Sequence, residues 1–142
     1  IDDLNYYYFK TMHHEFAHIL NQTKPYSTDF NAISGPDYVT DTWSDAWDGD
    51  ADAQQHGFIS EYASSEANED FVELMSIYVT NPASYWNNII KNAGEGAAKI
   101  SAKFEIVYNY MLNSWNIDLN ELRDEIQERQ AQIGTLDLET LN

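Results

Sequence analysis

The sequence contains no cysteine, only three prolines and six glycines in 142 residues, and seven lysines and arginines against 24 aspartates and glutamates. Without cysteine there is neither a disulfide framework nor a thiolate metal site, although the compartment stays open. The formal charge of −17 repels phosphate backbones and anionic bilayers alike, which argues against nucleic acid as a partner. No apolar run approaches the roughly 20 residues that a transmembrane helix needs. Internal repeats and low-complexity linkers are absent, and no stretch alternates convincingly as a strand. The chain starts at Ile1 with no leader-like segment, so it is expected to be processed or cut from a longer protein.

What is present is enough for one ordinary domain over residues 1–142, since 43% of the residues are hydrophobic. The expected architecture is mainly α. A first helix is predicted from about Asp3 to Gln22. Residues 23–60 are punctuated by Pro25, Gly35-Pro36, Gly49 and Gly57 and read as long loops, with one short helix around "DYVTDTWSDAW". A second helix follows Ser64-Ser65 and stops before Asn81-Pro82. Pro82 can open a third, and Gly94 suits its end. Ile100, Phe104, Val107, Met111 and Trp115 keep helical spacing in a fourth. Asp118 with Glu121 forms a capping-box pattern for a last helix, closed by Gly134, whose stripe of Leu119, Leu122, Ile126 and Ile133 is narrow.

The first helix carries "HEFAH". Histidines four apart in a helix lie about 40° apart and one turn along, so His14 and His18 can reach one ion. Glu15 flanks the same face, where a carboxylate can meet a water on that ion; this is the arrangement of an HExxH zinc helix. Tyr8, Met12, Phe16, Ile19 and Leu20 form an apolar stripe roughly opposite, which leaves the histidines free to line a cleft. His13 is about 100° round and reads as a neighbour. A catalytic zinc wants a third protein ligand. The extended HExxHxxGxxH pattern needs glycine at position 21 and histidine at 24, but the chain has Asn21 and Lys24. A carboxylate on the second helix is the remaining usual source. Glu66, Glu69 and Glu73 all fall on one side of that helix, opposite Phe71, Leu74, Met75 and Tyr78. Two spacings of four, Glu66/Asp70 and Glu69/Glu73, suit a ligand with a supporting acid. Periodicity does not choose between them.

"HEFAH" followed by "GFISEYASSEANEDFVELMSIYV" resembles the zinc-binding metallopeptidase family of Bacteroidetes lipoproteins, encoded beside outer-membrane import systems of the starch-utilisation type. The second block is also similar to the zinc site of anthrax lethal factor, where a tyrosine lies seven residues before the ligand glutamate. The likeness covers roughly residues 5–80. It implies a zincin-like, gluzincin-type hydrolase domain in which Glu69 is the third zinc ligand, Glu73 its supporting acid and Tyr62 a catalytic tyrosine. It further implies a peptide or protein substrate, an extracytoplasmic and lipid-anchored setting, association with an import complex, and an N-terminal region that lies outside this chain. Zinc suits two imidazoles and one carboxylate.

Such a site activates a water, with Glu15 as general base and Tyr62 as donor to the developing oxyanion. His56 is a lesser candidate for the role of Tyr62. Asp48, Asp50 and Asp52 alternate like part of a calcium loop but lack its glycine and distal glutamate, and read as a solvated loop. The alternative function is a non-catalytic or vestigial metal-binding accessory of a nutrient-import system. Retention of Glu15 favours catalysis, because a structural site needs the ligands and not the base.

Overall fold

Between Phe71 and Val79 no side chain is long and charged except Glu73, and a helix with apolar groups on every face has to be buried on every side. In the computed structural model, which describes residues 2–134, this helix is the centre of the domain. It spans Ala67–Thr80, and every residue from Asp70 to Thr80 is buried. The expected two-faced helix is thus corrected in part: of its acidic side Glu73 is buried and Glu69 half-buried, while Glu66 stays exposed. The architecture is mainly α, with no strand among the described residues.

In chain order the helices are α1 (Asp2–Thr23), α2 (Asp29–Ser34), α3 (Trp43–Ala46), α4 (Asp50–Gln55), α5 (Ala67–Thr80), α6 (Ala83–Asn92), α7 (Ala97–Trp115) and α8 (Leu119–Gly134). Helices α1, α7 and α8 all pack on α5. Phe71 stacks on Tyr26 at 4.3 Å and meets Tyr110 edge-on at 5.3 Å, while Tyr78, Trp86 and Phe104 form a cluster in which each ring touches the other two. Asn81 closes α5 by donating its side-chain N–H to the Ile77 carbonyl (2.9 Å), and Pro82 prevents continuation. Asn116 ends α7 in the left-handed region (φ 54°), with its N–H on Leu112 and that of Ile117 on Met111. Asp118 Oδ1 then accepts from Asn120 N (2.8 Å) and Glu121 N (3.1 Å), the cap expected from sequence. Along α8, Leu119 and Ile126 are buried and Ile133 is exposed, so its stripe outruns the core.

Two expectations fail. Residues 23–60 hold the expected short helix, which is α3, but are more ordered than long loops: α2 and α4 lie there too, with a 3-10 turn at Gly35–Asp37. Helices of four to six residues are too short for periodicity to declare, and tertiary bonds hold them. Among those bonds are Val39 N–H to Ser64 O (2.8 Å) and the Trp47 indole to Ser64 Oγ (2.8 Å). The second failure is on α1. Tyr8 (62%), Met12 (55%) and Ile19 (58%) are exposed, as is Phe16, while Ala17 and Leu20 are buried. The helix turns its polar histidine face, not its apolar stripe, toward α5.

Gly96 sits where α7 begins and the backbone of α4 comes close. A Cβ there would lie 1.9 Å from the Gln54 carbonyl oxygen and 2.7 Å from Gly57 N. Because these are backbone atoms, they cannot rotate away. Gly96→Ala is expected to lower the free energy of unfolding by about 3 kcal/mol, at the upper end of overpacking effects. Urea denaturation checks this, and a change under about 0.5 kcal/mol contradicts it.

Candidate metal centre

Spacing of four recurs on both facing helices. On α1 it sets Lys10, His14 and His18 in one row; on α5 it sets Glu69 and Glu73 in another. The two rows interlock. His14 Nε2 is 3.0 Å from Glu69 Oε2, and His18 Nε2 is 3.2 Å from the same carboxylate. His14 Nδ1–H donates to Glu73 Oε2 at 3.4 Å, and Lys10 Nζ lies 3.5 Å from Glu73 Oε1. Ser60 donates its hydroxyl to Glu73 (3.3 Å) and accepts from Ala63 N (3.1 Å), which ties the 57–65 segment to the same acid.

The donor set fits a zinc ion. One ligand atom from each of His14, His18 and Glu69 lies within 4.8 Å of the others. Tetrahedral zinc with bonds near 2.0–2.1 Å needs ligand atoms about 3.3 Å apart. With its proton on Nδ1, facing Glu73, His14 leaves the Nε2 lone pair toward Glu69, the tautomer a metal ligand requires.

Electrostatics tie the row together. Burial alone lowers the pKa of His14, but the hydrogen bond and charge of Glu73, with the charges of Glu69 and Glu15, raise it above the ordinary value. Burial alone raises Glu73; hydrogen bonds from His14 and Ser60 and the Lys10 charge hold it below the usual carboxylate range. The Tyr62 hydroxyl is pushed up to about 12 by burial and by the charge and hydrogen bond of Glu69, so near neutral pH it keeps its proton and can donate. Its ring lies 5.9 Å from that of His14 and 5.1 Å from Trp43, which stands edge-on behind it.

The structure brings together His14, His18, Glu69, Glu73 and Tyr62, and Glu15 lines the same pocket as His14 and Tyr62. Glu66 stands apart: it is exposed and occupies the N-cap of α5. His13 is half-buried, and burial lowers its pKa. His56 is not brought to the site. It caps α4, its Nδ1 bonds the Asp52 carbonyl (2.9 Å), and it rests against Trp47. The alternating aspartates serve the backbone: Asp52 accepts from Asp48 N (2.9 Å) and Asp50 from Glu61 N (2.9 Å). The Asp50 bond fixes the residue just before Tyr62. Lys10, Ser60 and Trp43 were missed in the sequence, although Lys10 repeats the spacing of four on the histidine face.

A second missed feature lies beneath α5. Asp70, next to Glu69, pairs with Lys103 at 2.7 Å, both side chains wholly buried. Lys103 also donates to the Gly57 carbonyl (2.8 Å) and sits over the Phe58 ring at 4.3 Å, and Tyr38 donates to Asp70 (2.7 Å). Burial pushes the Asp70 carboxyl up to about 6 against the pull of Lys103 and Tyr38, and it lowers the Lys103 ammonium despite the pairing. The signal was Lys103's position inside the apolar stripe of α7.

Residues 2–120 match the model of a family described as putative zinc-binding metallo-peptidase. The chain belongs to this family. The crystal structure of a putative zinc-binding metallo-peptidase from Bacteroides caccae is 39% identical and superposes with a TM-score of 0.90 over 99% of this chain. This chain spans 54% of that one, about half its length. No curated protein matches the sequence. The family match takes in α1 and α5 whole, and so every residue of the cluster. No helix among the described residues is long and apolar enough to cross a membrane.

Proposed function

We propose that this chain is a gluzincin-type zinc peptidase domain of the HExxH class, with His14, His18 and Glu69 as metal ligands and Glu73 as the acid that orients His14. The observation that carries the reading is the meeting of the His14/His18 pair with Glu69 across two helices, with Glu15 exposed beside it. Zinc at this site supplies a Lewis acid that brings the pKa of water toward neutrality. Glu15 takes the proton of the attacking water and returns it to the leaving amine. Tyr62, holding its proton, donates to the oxygen that gains charge as the peptide carbonyl is attacked. Trp43 packs edge-on against the Tyr62 ring at 5.1 Å. The same proposal places the protein outside the cytoplasm, in the setting of the import-associated lipoproteins it resembles.

Zinc content tests the ligand set. Purified wild type and Glu66→Ala are expected to hold about one zinc per chain by elemental analysis, and Glu69→Ala to lose it. A wild type that stays zinc-free after equilibration with micromolar metal rejects the reading. Equal retention by both variants rejects the assignment of Glu69.

A further inference from the structure

On the N-terminal side of the metal cluster lies a pocket of about 280 Å³, walled by Tyr7, Lys10, His14, Glu15, Tyr62 and Glu73 among others. Lys10 is the only lysine or arginine among its lining residues, in a protein with seven basic residues against 24 acids. Its ammonium is not fully engaged. The contact to Glu73 is 3.5 Å long, whereas charge-assisted N–H···O bonds run to about 2.7–2.9 Å. Glu73 is also shared with His14 and Ser60. The Lys10 side chain keeps 29% of its surface exposed, so donors remain for a ligand.

We propose that Lys10 receives a carboxylate of the substrate. The inference deepens the peptidase reading and rests on it. Lys10 precedes His14 by one helical turn on the same face, about 6 Å along the axis. That is less than two residues of extended peptide, at roughly 3.3–3.6 Å each. The carboxylate therefore belongs to a residue one or two positions from the scissile bond. It comes either from the chain end or from an aspartate or glutamate side chain; both present the same anion to the same ammonium. In a chain of such negative charge, an acidic ligand is held only where a cation stands ready, and Lys10 stands beside the candidate base and tyrosine. If Lys10 served only as counter-ion to Glu73, its removal would leave the preference for a carboxylate-bearing probe unchanged.

The test uses three probes: N-acetyl-trialanine as the free acid, its C-terminal amide, and the amide with aspartate replacing the last alanine. Equilibrium binding is measured by titration calorimetry on the zinc-equilibrated wild type, Lys10→Met and Lys10→Arg, with zinc content determined on each sample. The wild type is expected to bind a carboxylate-bearing probe about tenfold or more tightly than the neutral amide, the scale of one hydrogen bond to a charged group. Preference for the free acid identifies the chain end; preference for the aspartyl amide identifies the side chain. Lys10→Arg keeps the preference, Lys10→Met loses it, and added salt weakens it. Zinc-loaded wild type that binds all three equally or none of them overturns the inference and leaves the metal site standing, as does a preference that survives in Lys10→Met. A chain that takes up no zinc overturns the peptidase reading and this inference with it, and the metal content tells the two failures apart.

Discussion

Glu15→Gln is expected to lower turnover of a cleavable peptide by roughly 10²–10⁴-fold, the range of a lost general base, while zinc content stays at that of the wild type. Glutamine keeps the size and much of the polarity of glutamate, so the pocket shared with His14 and Tyr62 keeps its shape. What it cannot do is accept a proton. Glu15 lies outside the three-residue metal cluster and is exposed on α1, so it is neither a ligand nor a core residue. The variant therefore separates metal binding from catalysis. Turnover is read by mass spectrometry on a peptide library, zinc by elemental analysis. Turnover within about threefold of wild type would remove Glu15 from the proposed mechanism. Loss of zinc would show that it supports the site and not only the chemistry.

The largest effect on stability is expected from Lys103→Met. The Lys103 ammonium and the Asp70 carboxylate are wholly buried and 2.7 Å apart. Removing the cation strands a carboxylate with only Tyr38 to donate to it, and breaking a buried pair from one side costs about 3–5 kcal/mol. Methionine refills most of the volume, so the loss reports the unpaired charge and not a cavity. The double variant Lys103→Met/Asp70→Leu is expected to regain most of that stability, because two apolar side chains can replace a buried ion pair at little net cost. Denaturant unfolding of the zinc-free proteins measures the cycle. A single variant within about 1 kcal/mol of wild type would mean that Asp70 escapes the unpaired charge, by taking up a proton or by admitting water. The pair also matters to the site: Lys103 holds the Gly57 carbonyl, at the start of the segment that delivers Ser60 to Glu73 and Tyr62 to Glu69.

Of the candidate site, the part written in short-range spacing was readable. His14 and His18 share a face because position 18 follows 14 by one turn, and Glu69 and Glu73 repeat the relation. The ends of α5, α7 and α8 were equally local: Pro82 cannot continue a helix, and Asp118 has backbone N–H groups within reach of its own side chain. Those features depend on atoms a few bonds apart. The choice of Glu69 over Glu66 did not. Both fit the period, and in the sequence only a family resemblance preferred one of them. In the structure Glu66 stands exposed at the N-cap position of α5, away from the histidines, while Glu69 reaches both of them.

The amino-acid order by itself determined a helical domain, the positions of its longer helices, and two rows of metal-type side chains spaced to act together. Only the tertiary structure decided which face of α1 turns inward, that Asp70 meets Lys103 across 33 positions, that Ser60 and Lys10 share Glu73, and that residues 24–66 form short helices and turns. Periodicity defines the faces of a helix but not which of them loses water. That is decided by partners far along the chain: the histidine face of α1 goes inward because Glu69 and Glu73 wait there to satisfy it, and Tyr8, Met12 and Ile19 are left outside.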